Sequence, residues 1–133
     1  MTLSFKKPII LTRINEDNKE FIQSFFEIYP NVDVEKSFKF LPLFEIVFER
    51  KTQEKSEFDY LICTSRHAIQ TISSSEKIVD KTIFCVGKST ALAAKERGFK
   101  KVLYPKFGNV SNLIKLVSSK VGDKNSVIHY IRG

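Results

Sequence analysis

The sequence predicts an α/β fold, a parallel sheet flanked by helices, and three observations carry that expectation. Short apolar runs rich in β-branched and aromatic residues alternate with stretches of helical periodicity. The connections between them are only a few residues long. Several of these units share one grammar: an apolar strand, a turn bearing glycine or a hydroxyl, then a helix. Such alternation returns each strand in the same direction, with helices covering the sheet.

In chain order, Pro8–Thr12 is a short apolar strand ending in Thr12-Arg13. Asn15 or Asp17 is placed to cap a helix whose stripe is Phe21, Ile22, Phe25, Phe26 and Tyr29. That stripe is expected in the core, and Pro30-Asn31 ends the helix. Val32, Val34, Phe38 and Phe40 alternate as in a half-buried strand, which Pro42 interrupts because it lacks a ladder donor. Glu49–Glu57 is a charged linker or a poorly capped helix. Phe58–Thr64 is the second clear strand, and Ser65 is placed to cap a helix containing Ala68, Ile69 and Ile72. Ser73–Ser75 and Lys77 form a loop.

The central unit is Lys81–Gly98. Ile83–Val86 is a buried parallel strand, Gly87 opens a tight turn, and Ser89 is placed to cap the next helix. Gly98 is its expected stop. This order points Gly87, Lys88, Ser89 and Thr90 to the carboxyl end of a sheet, where open α/β folds bind ligands. VGKST resembles the second half of a phosphate-binding P-loop, but the first glycine of that pattern would fall on Thr82. The intervening Ile83–Val86 is a strand, not a loop of phosphate-cradling amides. A short strand, Lys101–Tyr104, then leads to a turn at Gly108-Asn109. A helix on Val110, Leu113, Ile114 and Val117 follows, and Ser126–Ile131 is the last strand.

Composition narrows the function. Hydrophobic residues make up 42% and charged residues 28% of 133 residues, the balance of a globular protein with a core. No apolar run reaches membrane-spanning length and the amino terminus has no secretory pattern, so a cytoplasmic location is expected. A net charge of +7 suits an anionic partner. The lysines are dispersed and not interleaved with stacking aromatics, which argues against nucleic acid. Cys63 and Cys85 lie in apolar runs without metal-ligand spacing and are expected to be buried thiols. His67 and His129 likewise lack ligating neighbours in sequence, and Ser65 and His67 do not face each other as a nucleophile pair would.

Six segments read together carry a family resemblance: Leu11–Arg13, Leu41–Ile46, Phe58–Ile69, Val86–Ala91, Gly108–Leu113 and Tyr130–Gly133. In this order they resemble uroporphyrinogen-III synthase, whose members have two flavodoxin-like α/β domains joined by a two-stranded connector. The resemblance covers the amino-terminal portion of that family. It implies that residues 1–31 are the opening strand and helix of an incomplete first domain. Residues 32–43 would be a crossover strand and residues 44–133 a second α/β domain. The return half of the first domain has no counterpart, so the expectation is a truncated or partial form.

The resemblance also implies a chemistry. The family cyclises the linear tetrapyrrole hydroxymethylbilane, losing water and inverting ring D, with no metal or organic cofactor. The protein must hold a floppy substrate in closing geometry and assist departure of hydroxide. The substrate's eight carboxylates suit helix N-termini and hydroxyl-bearing turns. Carried over position by position, Ser65 and Thr90 are the candidate catalytic hydroxyls. Thr12, Arg13, Thr64, Gly87, Ser89, Gly108, Asn109 and Arg132 are candidate substrate-binding residues. Capping is the competing role for the hydroxyls, and salt bridges for the arginines. The family's conserved tyrosine lies beyond the strand matched by Tyr130. The expected partners are the polycarboxylate substrate and either a second copy or a complementing carboxyl-terminal half, with no membrane. The alternative is an inactive remnant or a binding module with the same fold.

Overall fold

The computed structural model describes residues 1–47 and 57–133, which belong to two compact units, Met1–Val47 and Phe48–Gly133. The predicted linker or helix at Glu49–Glu57 lies almost wholly outside the described residues. Among those described, no helix is long and apolar enough to cross a membrane.

The first unit holds a two-stranded parallel sheet. Strand β1 (Ile9–Leu11) leads into helix α1 (Asn15–Ile28), a one-turn helix α2 (Val34–Ser37) follows, and β2 (Phe38–Phe40) lies beside β1. Ile9 faces Phe38 and Leu11 faces Phe40. The buried Asn18 fastens the start of α1 to the end of β1, its amide donating to the carbonyls of Leu11 at 3.2 Å and Arg13 at 2.8 Å. Phe38 is buried and meets the rings of Phe5, Phe21 and Phe25 edge-on.

Three expectations change here. Neither Asn15 nor Asp17 caps α1: the cap position is Ile14, with no side-chain hydrogen bond. Asp17 is turned instead to Arg13, with 2.7 Å between Nη2 and Oδ2. The alternating strand from Val32 also shrinks to Phe38–Phe40, because the Asp33 carboxylate accepts from the Lys36 amide at 3.2 Å and caps α2. A local side-chain bond thus captures Val34 for a helical turn before the period of two can act. The expected core stripe on α1 is only partly covered, with Phe21, Phe26 and Tyr29 exposed.

The second unit carries a four-stranded parallel sheet. Its elements are β3 (Tyr60–Cys63), a 3₁₀ turn (Ala68–Thr71), α3 (Glu76–Val79), β4 (Thr82–Cys85), α4 (Lys88–Glu96), β5 (Lys101–Leu103), α5 (Val110–Lys120) and β6 (Ile128–Ile131). The strand order is β5-β4-β3-β6, every pair parallel. On one face Leu61, Cys63, Ile83 and Cys85 pack with Ile69 and Ile72 and with Ala91 and Ala94 of α4. Alternation turns Phe84 to the other face. There α5 packs across β4, and Phe84 and Leu113 are buried apart from that cluster.

Gly98, at φ +105°, ends α4 in the left-handed region that favours glycine. The adjoining Arg97 donates from Nε and Nη2 to the Ile72 carbonyl at 2.9 and 2.7 Å, tying the end of α4 to the β3–β4 connection. Cys63 and Cys85 are in register, fully buried and unbridged. Burial raises both thiol pKa values; Cys85, with Cys63 beside it as a second cause, is pushed up to about 12.

Three local expectations change in this unit. Ser89 does not cap α4; the cap position is Gly87, which has no side chain to bond, and Ser89 is the second helical residue. The helix expected after Ser65 is a single 3₁₀ turn that closes at Thr71, with Ile72 already extended. The loop placed around Lys77 contains the short helix α3.

Candidate functional site

The chain directions in the second unit place one crevice. After β4 the chain leaves to one face through α4, and after the neighbouring β5 it leaves to the other through α5. The carboxyl ends of two such strands splay their connections apart, which is where open α/β sheets receive ligands. At that point the backbones of the two turns touch. A Cβ on Gly87 would lie 3.5 Å from the Gly108 Cα. A Cβ on Gly108 would lie 3.2 Å from both the Gly87 Cα and the Val86 carbonyl oxygen. Glycine at 108 suits this approach, since a side chain there would press on backbone that would have to give by a few tenths of an ångström.

The contact brings the N-termini of α4 and α5 together. Neither helix has an acidic residue in its first turn, so nothing on the helices themselves offsets their positive ends. Asn109 caps α5, its Oδ1 accepting from the Asn112 amide at 2.8 Å. The α4 terminus has no side-chain cap, so its first-turn amides remain open to an acceptor from outside. Lys88 and Ser89 are exposed at this terminus, and Phe107, 68% exposed, stands beside Gly108 with Lys106 Nζ 5.7 Å from its ring centroid. The result is a notch where two helix N-termini meet, with Lys88, Lys106 and Phe107 next to its turns in the chain.

The predicted residues fall into three groups. Gly87, Ser89, Gly108 and Asn109 come together at the notch. Thr64, Ser65 and Arg132 follow β3 and β6, adjacent strands of the same sheet. Thr12 and Arg13 belong to the first unit, where the Thr12 carbonyl accepts from the Leu43 amide at 3.1 Å and Arg13 pairs with Asp17. The two candidate catalytic hydroxyls are less open than the turns. Thr90 is 5% exposed on the third residue of α4. Ser65 Oγ accepts from the Ala68 amide at 3.4 Å, and a Cβ on Gly133 would come within 2.9 Å of it.

Comparison with known protein families matches residues 38–133 to Uroporphyrinogen-III synthase HemD. The chain belongs to the uroporphyrinogen-III synthase family. No curated protein and no solved structure matches the chain. The match spans β2 and the whole second unit, so the notch between α4 and α5 lies within it. Membership of the uroporphyrinogen-III synthase family implies a tetrapyrrole substrate and a place in porphyrin biosynthesis. Sequence reasoning located the turns of the notch but missed Phe107 and Lys106, which carry no periodic signal, and left Tyr130 without a role. Tyr130 Oη stands 3.3 Å from Thr64 Oγ1, a contact across 66 positions that only the pairing of β3 with β6 creates.

Proposed function

We propose that this chain binds hydroxymethylbilane through its carboxylates and promotes ring closure with inversion of ring D, forming uroporphyrinogen III. The observation that carries this reading is the uncapped N-terminus of α4 converging on that of α5 at the Gly87–Gly108 contact. Open first-turn amides at the α4 N-terminus, with the positive end of α5 beside them, favour carboxylates, and a net charge of +7 draws a polyanion to them. Phe107 offers a pyrrole ring an apolar face beside those carboxylate sites. Hydroxide leaves the hydroxymethyl carbon, protonated to water as it departs, and the cation left behind is stabilised by the pyrrole itself. The protein's work is to hold the chain's two ends in closing geometry while a hydroxyl assists the departing hydroxide. Ser65 and Thr90 are the proposed hydroxyls, and Thr64, Ser89, Asn109, Arg132, Thr12 and Arg13 the proposed substrate-binding residues.

A second reading, an inactive remnant or binding module, is favoured by the burial of Thr90 and by the backbone contacts of Ser65. One assay separates the two. Hydroxymethylbilane generated in situ is incubated with the chain, and the type I and type III isomers of uroporphyrinogen are resolved. Type III above the uncatalysed background is the expected result; type I alone overturns the synthase reading. Ser65→Ala and Thr90→Ala then assign the hydroxyls. A substrate hydroxyl lowers the type III yield without moving the melting temperature, whereas a capping or core hydroxyl moves the melting temperature.

A further inference from the structure

We infer that Thr64 and Tyr130 act as one hydroxyl pair that donates a hydrogen bond to a substrate carboxylate; this rests on the polycarboxylate reading above. Parallel pairing sets Ile62 opposite Tyr130, and Thr64, two residues beyond Ile62, continues the same face of the sheet toward its carboxyl end. By that alternation the pair lies on the Phe84 face, opposite Leu61, Cys63 and the α4 cluster, and it is the face α5 covers. The phenol reaches along this face to Thr64, leaving 3.3 Å between the oxygens.

Two hydroxyls in contact have two protons and need only one between them. Whichever donates to the other, one proton remains for a ligand, and the internal bond polarises it into a stronger donor. Tyr130 is 56% exposed and Thr64 half-buried, so the pair is open to solvent yet held on a sheet rather than on a loop. Arg132, exposed and without an ion pair among the described residues, follows β6 directly and supplies positive charge at the same end. A hydroxyl donor beside an arginine is chemistry for a carboxylate. Because Tyr130 lies in the outermost strand, it would receive a carboxylate on the side of the sheet away from the Gly87–Gly108 notch.

The test is a fluorescence titration of the full chain with uroporphyrin I, a stable octacarboxylate macrocycle. Tyr130→Phe, Thr64→Val, Thr64→Ser and the double Tyr130→Phe/Thr64→Val variant are compared with the unsubstituted chain. Tyr130→Phe keeps the ring and deletes only the exposed hydroxyl, so the fold is retained. Loss of either oxygen is expected to raise Kd about tenfold, the lower end of the scale of one charge-assisted hydrogen bond. The double variant is expected to lose no more than the weaker single one, because the pair acts as a unit, and Thr64→Ser is expected to bind like the unsubstituted chain. Unchanged affinity in Tyr130→Phe overturns the inference and leaves the notch reading standing. Losses that multiply in the double variant overturn the paired action. An unsubstituted chain that binds no uroporphyrin I overturns this inference and the polycarboxylate reading together.

Discussion

The two units answer the same problem, how to bury the faces of a parallel sheet, with very different success. In the second unit the central strands β3 and β4 are well covered, and Leu61, Cys63, Ile69, Ile72, Ile83, Phe84 and Cys85 are all essentially inaccessible. In the first unit two strands and α1 leave Ile10, Phe26, Ile28, Tyr29, Leu43 and Val47 exposed. The apolar residues are as plentiful in the first unit; what it lacks, among the described residues, is further strands and a helix on the second face. Parallel strands depend on such cover because their residues are apolar on both sides. The comparison teaches that the candidate site rests on the unit whose core is closed, and a turn is held to ångström precision only when its flanking elements are packed.

This contrast can be broken most directly by truncating one side chain in each unit. Ile83→Ala, at a fully buried position, is expected to cost about 2–5 kcal/mol, whereas Phe26→Ala, at 42% exposure, is expected to cost about 1 kcal/mol or less. Urea unfolding of the full chain measures both. Comparable losses would mean that the first unit has a core as tight as the second.

A smaller effect sharpens the comparison at the site itself. Asn109→Ala removes the cap of α5 and is expected to lower stability by about 1 kcal/mol. Ser89→Ala is expected to leave stability nearly unchanged, because Ser89 caps nothing in α4. Thermal melts of the two variants check the asymmetry between a capped and an uncapped N-terminus.

The smallest expected signal comes from the buried thiols. Cys85 is held protonated to about pH 12 in the fold, against an ordinary value of 9.0. A raised folded pKa contributes stability that is fully present below pH 9.0 and declines as pH rises toward 12, where only the unfolded chain has released the proton. Ellman's reagent at pH 8 is therefore expected to find no reactive thiol in the folded chain and two after unfolding in urea. Rapid labelling without denaturant would show that the second unit opens more readily than its packing indicates.

The alternation of strand, turn and helix is a local property, so the α/β class and the strands at Pro8–Thr12, Phe58–Thr64, Ile83–Val86, Lys101–Tyr104 and Ser126–Ile131 were legible in the residues, with ends that differ by at most two positions. The turns that carry the site were legible for the same reason: Gly87, Gly108 and Asn109 follow strands and precede helices. Capping was read less well. Ser89, Asn15 and Asp17 have capping chemistry, but each sits inside its helix, because the cap is decided by where the strand lets go of the chain. What only the tertiary structure decided is which turns meet. Gly87 and Gly108 touch because α4 and α5 leave to opposite faces, and Thr64 finds Tyr130 because β6 pairs with β3 rather than with β5. Periodicity reports which side of an element is apolar; strand order is set by long-range packing, and no local pattern contains it.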